Sequence, residues 1–394
     1  MLRILVAAAA ILGALSVVNA SADGGRFYEV SPADLAGPPG SLIRVEGLPH
    51  VELTRAMAYR ILYRSTGLRG EPIAVSGLAV VPFRAPPAAG WPIVAWAHGT
   101  TGIVPKCAPS LRPEPIKGIP GINEIISGDF VLAATDYPGL GAGTIHPYLV
   151  GVSEGRAVLD SVRAVRALQG ARAGNRIALI GHSQGGHAVL WATQIWRRYA
   201  PELELVGTAA LAPATELGHL FSDDIHRLAG RILSALVMGS WSSPGIYGAP
   251  LDLILPQSED GAIARIADNC IDQLAGELGD LRANKRIPAD FLKASPTEVE
   301  PWRSLVAANR PAVDPSGVPY YIGQGTADTT VDPPVTENFV ERMCAAGSVV
   351  RLEMFPGKTH RSVRKAAAPA AVAWIRDRFA GVPAPDTCRR WLSR

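Results

Sequence analysis

Two apolar patterns alternate along the first half of the chain. Short, nearly continuous apolar runs occur at Pro92–His98 (PIVAWAH), at Phe130–Asp136 (FVLAATD) and in RIALIG at 176–181. Such runs suit strands buried on both faces of a parallel sheet. Between them, apolar residues recur every three or four positions. Val158, Val162, Val165 and Leu168 do so within Glu154–Gln169, and GGHAVLWATQIWRRY does so from Gly185. That spacing lines one face of a helix. Strand-like runs also fill Ala56 to Pro82 and Glu204 to Pro213. Residues 23–50, rich in Gly and Pro, read as an extended lead-in. Strand alternating with helix predicts an α/β fold with a mostly parallel sheet.

The alternation breaks near residue 214. From there to about 315 the patterns are helical, among them Ile225–Met238 and Ala262–Leu278. Strand patterns return at Val318–Gly325 and Ser348–Gly357, and a final helix is expected over Val363–Phe379. The expected division is a core at 23–213, a helical cap or lid inserted at 214–315, and the rest of the core at 316–394.

The junction of strand and helix at Gly181-His182-Ser183-Gln184-Gly185 carries the chemistry. A serine hydroxyl is a weak nucleophile until it is exposed beside a base. A tight strand-to-helix turn lifts the side chain clear of the sheet, and flanking glycines remove side chains that would clash there. The helix start then offers unpaired N–H groups to a developing negative charge. The pentapeptide G-x-S-x-G is common by itself; its place after an apolar strand and before an amphipathic helix makes it informative.

In this fold the partners of the serine follow in the order acid, then histidine. Of the eight histidines only His360 lies beyond residue 226, in FPGKTHRSV between a strand and a helix. The acid expected is Asp328, three residues past Gly325 at a strand end, with Asp332 as the alternative. Either aspartate could instead be a turn residue. Backbone N–H of Gln184 is one oxyanion donor, and the loop HGTTG offers Thr100 or Thr101 as the second. His182 and His187, which flank the serine, read as positioning or packing residues.

Composition narrows the setting. Net charge is +3 over 394 residues, too mild to argue for nucleic acid or an anionic membrane surface. Only six of the 38 basic residues are lysine. Arg3, the apolar stretch Ile4–Val18 and the small residues around Ala20 and Ala22 form a signal-peptide pattern over residues 1–22. No other segment is apolar and long enough to span a membrane, so a secreted protein, extracellular or periplasmic, is expected. Four cysteines follow the signal, Cys107, Cys270, Cys344 and Cys388. Their even number in an exported chain suggests two disulfides, with three pairings open.

Other motifs fall short. Gly139–Gly143 lacks dinucleotide-loop spacing, and Gly357-Lys358-Thr359 lacks the earlier glycine of a phosphate loop, Leu352 standing there. Asp223-Asp224-Ile225-His226 reads as a solvated helix start rather than a metal site.

With AHGTTG…CAPS, DYPGLG, HPYLVGVSEGRAVLD, GHSQGG, GQGTADTTVDP and GKTH in hand, the chain resembles the secretory lipase family. These α/β-hydrolases include yeast lipase A-like enzymes and exported bacterial lipases and esterases. The resemblance implies a helical cap inserted after the strand that follows the nucleophile helix, and a triad of Ser183, Asp328 and His360. It implies the pairings Cys107–Cys270 and Cys344–Cys388 and a supporting role for Asp136 and Tyr137. The implied substrate is a carboxylic ester or lipid, met at a lipid–water interface, and the implied chemistry needs no cofactor and no metal. Two alternatives stand beside this reading: a peptidase or acyltransferase on the same scaffold, and a non-catalytic binding protein that keeps the fold.

Overall fold

The computed structural model describes residues 25–49, 51, 53–271, 288, 291–313 and 317–390. The expected signal segment, residues 1–22, lies outside them, as does the second half of the helix expected over Ala262–Leu278. A nine-stranded sheet organises the molecule, in the order β1-β2-β3-β5-β4-β6-β7-β8-β9. Its strands are β1 (Leu42–Gly47), β2 (Ala56–Thr66), β3 (Pro72–Pro82), β4 (Trp91–Ala97), β5 (Val131–Thr135), β6 (Ala173–His182), β7 (Glu204–Leu211), β8 (Tyr320–Gly325) and β9 (Val350–Phe355). The first three run antiparallel and β3 meets β5 antiparallel. From β5 onward every pairing is parallel.

The unbroken apolar runs behave as their composition predicts. All five residues of β5 are buried, because side chains that alternate across the sheet meet helices on both sides. On one face Ile93, Ile177 and Leu179 pack with residues of α2 (Gly151–Ala167), α3 (Gln184–Tyr199) and α8 (Pro333–Ala345). On the other, Val94, Leu132 and Ile180 pack with α1 (Ile122–Ser127) and α9 (His360–Phe379).

Two expectations need correction. The lead-in is not merely extended: it contributes the edge strand β1, paired with Tyr59–Tyr63 of β2. The last helix begins at His360, three residues earlier than expected. There the Thr359 hydroxyl accepts the Ser362 N–H, and the Ser362 hydroxyl accepts the Thr359 N–H, so a reciprocal cap starts the helix before its first buried apolar residue.

Between β7 and β8 the described helices are α4 (Leu217–Ser222), α5 (Leu228–Trp241), α6 (Asp260–Ala267) and α7 (Trp302–Ala308). They enclose an apolar cluster that includes Leu236, Trp241, Ile254 and Trp302 and also takes in Ile103 and Tyr148 to Val150 from before α2. Two disulfides close the chain, Cys107–Cys270 and Cys344–Cys388, each with Cα atoms 5.3 Å apart. No helix among the described residues is long and apolar enough to cross a membrane.

Candidate active site

Ser183 stands between β6 and α3 with φ +59° and ψ −119°. A residue with a side chain reaches this region only under strain, which the surroundings must hold in place. Crowding explains the two glycines. A Cβ on Gly181 would lie 2.1 Å from the carbonyl oxygen of Gly185, and one on Gly185 would lie 1.9 Å from that of Ala97. The turn therefore closes only with glycine at both positions.

The structure brings the three expected residues into one line. Ser183 Oγ lies 2.8 Å from Nε2 of His360, whose Nδ1 lies 2.8 Å from Oδ2 of Asp328. The Asp328 side chain is fully buried. Its Oδ1 accepts the N–H groups of Thr330 and Val331 at 2.9 and 3.0 Å, and its Oδ2 also accepts Nε2 of Gln324 at 3.2 Å. Asp328 is thus a turn aspartate and the histidine's partner at once. Asp332, the alternative, faces elsewhere: it precedes α8 and pairs with Arg227 at 2.8 Å.

His182 braces His360. Its Nε2 donates to the carbonyl of His360 at 2.9 Å, and the two rings lie 4.7 Å apart. Burial, followed by the charges of His360 and Arg364, pushes the His182 imidazole well below its ordinary range, so it stays neutral and can donate from one nitrogen.

Gln184 is the first residue of α3, so its N–H has no helical carbonyl to meet. The loop after β4 passes close by: a Cβ on Gly99 would come within 3.5 Å of the Ser183 Cβ. Thr100 and Thr101 line the same cavity as Ser183. The Thr100 hydroxyl is bonded to Tyr148 OH at 2.8 Å, while the buried Thr101 hydroxyl has no protein partner among the described residues. The Thr101 carbonyl is held by the N–H of Ile271, next to the disulfide-bonded Cys270.

Asp136 and Tyr137 follow β5, and Asp136 lines the cavity that holds Ser183. Asp136 accepts from the hydroxyls of Ser76 and Ser110 and from the Ser110 N–H, and burial raises its carboxyl above the ordinary range. Tyr137 OH donates to the carbonyl of His98 at 2.9 Å, which steadies the strand end before the threonine loop.

Sequence reasoning missed a buried polar group behind the serine. Glu154, on α2, is fully buried and accepts from His187 Nδ1 and Gln184 Nε2, both at 2.8 Å, and from the Leu149 N–H. Burial would raise its pKa; the donors that surround it, His187 Nδ1 among them, outweigh that and hold it at about 2. The available signal was phase, since Glu154 lies on the same helical stripe as Val158 and Val162.

Ser183 and His360 open into a cavity of about 520 Å³. Trp96 and Ile119 line it from the core, Leu228, Ile232 and Leu233 from α5, and Arg112, Arg361 and Arg364 add positive charge to its wall. No cluster of metal-ligating side chains occurs among the described residues, Asp223–His226 included. The arrangement can pass a proton from a serine to an imidazole, with the N–H of Gln184 at the start of the helix that the serine precedes.

Comparison with known proteins agrees in direction. A family model described as secretory lipase matches residues 122–387. A probable inactive lipase of Mycobacterium tuberculosis is 27% identical over 363 residues, covering 84% of this chain and 75% of its own. A trichothecene C-3 esterase of Fusarium sporotrichioides is 26% identical over 381 residues, covering 90% and 83%. Among solved structures, Candida antarctica lipase A in its closed state superposes with a TM-score of 0.76 at 19% identity, covering 92% of this chain and 87% of that one. At that identity the likeness speaks for the α/β-hydrolase fold.

Proposed function

The chain belongs to the secretory lipase family, and from that premise we propose that it is an exported serine hydrolase that cleaves carboxylic esters through an acyl-enzyme. One observation carries this reading: the Ser183–His360–Asp328 relay, with both hydrogen bonds at 2.8 Å, opens into a largely apolar cavity. His360 takes the Ser183 proton as Oγ attacks the ester carbonyl. The oxyanion forms against the N–H of Gln184 and a second donor from Thr100 or Thr101. Protonated His360, steadied by Asp328, then protonates the departing alcohol. A water activated by His360 releases the acid, and no cofactor or metal enters the chemistry.

Residues 214–315 act as the cap. Leu228, Ile232 and Leu233 of α5 face the same cavity as Ser183. Each methylene they bury contributes about 0.8 kcal/mol, so the cavity selects a preferred acyl length. Export is supported by the residue 1–22 pattern and by the two disulfides.

A panel of p-nitrophenyl esters from acetyl to palmitoyl, run beside emulsified triglyceride and a peptide anilide, tests the reading. Hydrolysis with a chain-length optimum supports it, and triglyceride turnover separates lipase from esterase. Cleavage of the anilide alone would overturn it and favour a peptidase. A second reading, binding without catalysis, draws on the relative named as probably inactive. Failure of a fluorophosphonate to label Ser183 would favour it.

A further inference from the structure

We propose that Glu154, held by His187, is a positioning residue that aims the Gln184 amide at the oxyanion through the Gln184 side chain. The inference rests on the proposed role of that amide as an oxyanion donor. Gln184 does not point its side chain into the large cavity; it turns back into the protein. Its Nε2 donates to Glu154 Oε1 at 2.8 Å, and its other Nε2 hydrogen faces His146 Nε2 at 2.7 Å. His146 Nδ1 donates to the carbonyl of Pro138, which leaves Nε2 free to accept. One side-chain amide is therefore fixed from two directions. Its own backbone N–H, a few bonds away, is fixed with it.

Glu154 is itself immobilised. Its Oε1 also accepts the N–H of Leu149 at 3.0 Å, and its Oε2 meets His187 Nδ1. His187 Nε2 lies 2.8 Å from the carbonyl of Asn309. The His187 ring is thus held between Glu154 and the carbonyl of Asn309. The anchor also reaches the helices between β7 and β8, because Asn309 bonds to Tyr247 and its Oδ1 accepts the N–H of Gly151 at the start of α2. A packing role alone would not explain two hydrogen bonds on the side chain that follows the nucleophile.

The test measures kcat per titrated active site, KM, and affinity for an alkylboronic acid, a tetrahedral mimic. Gln184→Met keeps the backbone N–H and the side-chain length but deletes both anchoring bonds. Removing an oxyanion donor outright costs about 10²–10³-fold in kcat, so misaiming one should lower kcat per active site by about 10–100-fold. KM should stay within about twofold and boronate affinity should fall in parallel with kcat. Should Gln184→Met fail to fold, Glu154→Met, which keeps the side-chain length and removes the oxygen that accepts Gln184 Nε2, should give the same split. A loss of kcat per active site below tenfold would overturn the inference, even where melting temperature or the fraction of active sites falls. Absence of any Ser183-dependent turnover in the unmutated protein would instead remove the hydrolase reading on which it stands.

Discussion

Replacing Asp328 with asparagine changes the position of one proton while leaving the shape of the site intact. Oδ1 of Asp328 accepts two backbone N–H groups, from Thr330 and Val331. Turning the new amide nitrogen toward them would set donors against donors at both. The carbonyl oxygen of the asparagine therefore keeps that place, and its NH2 takes the position of Oδ2, 2.8 Å from His360 Nδ1. Nδ1 must now accept, so the imidazole proton moves to Nε2, facing Ser183 Oγ, and the ring can no longer receive the serine proton. Loss of the correct tautomer in a triad of this kind lowers kcat by about 10⁴-fold, equivalent to about 5 kcal/mol of barrier. The measurement is kcat for p-nitrophenyl butyrate near pH 7.5, with circular dichroism to confirm folding and Asp332→Asn as the companion variant. A loss smaller than tenfold, or a larger loss in Asp332→Asn, would refute the reasoning.

Other consequences are equally open to measurement. Gly185→Ala places a Cβ 1.9 Å from the Ala97 carbonyl oxygen; it should abolish activity and lower the melting temperature, and full activity would contradict the crowding argument. Burial lowers His98 to about 4 from an ordinary 6.5. Between those values the unfolded chain takes up a proton that the folded protein refuses, so this contribution is complete above pH 6.5 and about 3 kcal/mol is lost as pH falls to 4. Urea unfolding should show that slope and His98→Asn should flatten it; an unchanged slope would count against it. Opening the Cys107–Cys270 bridge with a double Ser variant releases a closure spanning 163 residues, for which chain entropy sets a loss of about 5 kcal/mol as an upper value. A change below about 1 kcal/mol in denaturant unfolding would show that the bridge does not constrain the unfolded chain.

What the sequence makes legible here is what local chemistry determines. The Ser183 turn can be read from its glycines, because their need arises within five residues. His360 and Asp328 can be read from chain order and from strand ends. Less visible is whatever depends on a distant partner. Residues Leu42–Gly47 become a strand only because β2 lies beside them. The start of the last helix is hidden because Ser362, rather than the usual Glu or Gln, completes the cap with Thr359. Glu154 reads as one more charged helix position; its burial makes sense only once α3 has brought His187 and Gln184 against it. Thr100 and Thr101 read alike in the sequence, since the same loop carries both into the cavity.

The most direct test of the central claim is to trap the covalent intermediate. The protein is mixed with excess p-nitrophenyl acetate, quenched in acid within milliseconds and examined by intact and peptide mass spectrometry. The account predicts a burst of p-nitrophenol close to one per protein and an added acetyl group on Ser183 alone, with both absent in Ser183→Ala and strongly reduced in His360→Ala. Turnover with no adduct on Ser183, or an adduct that persists in Ser183→Ala, would contradict it.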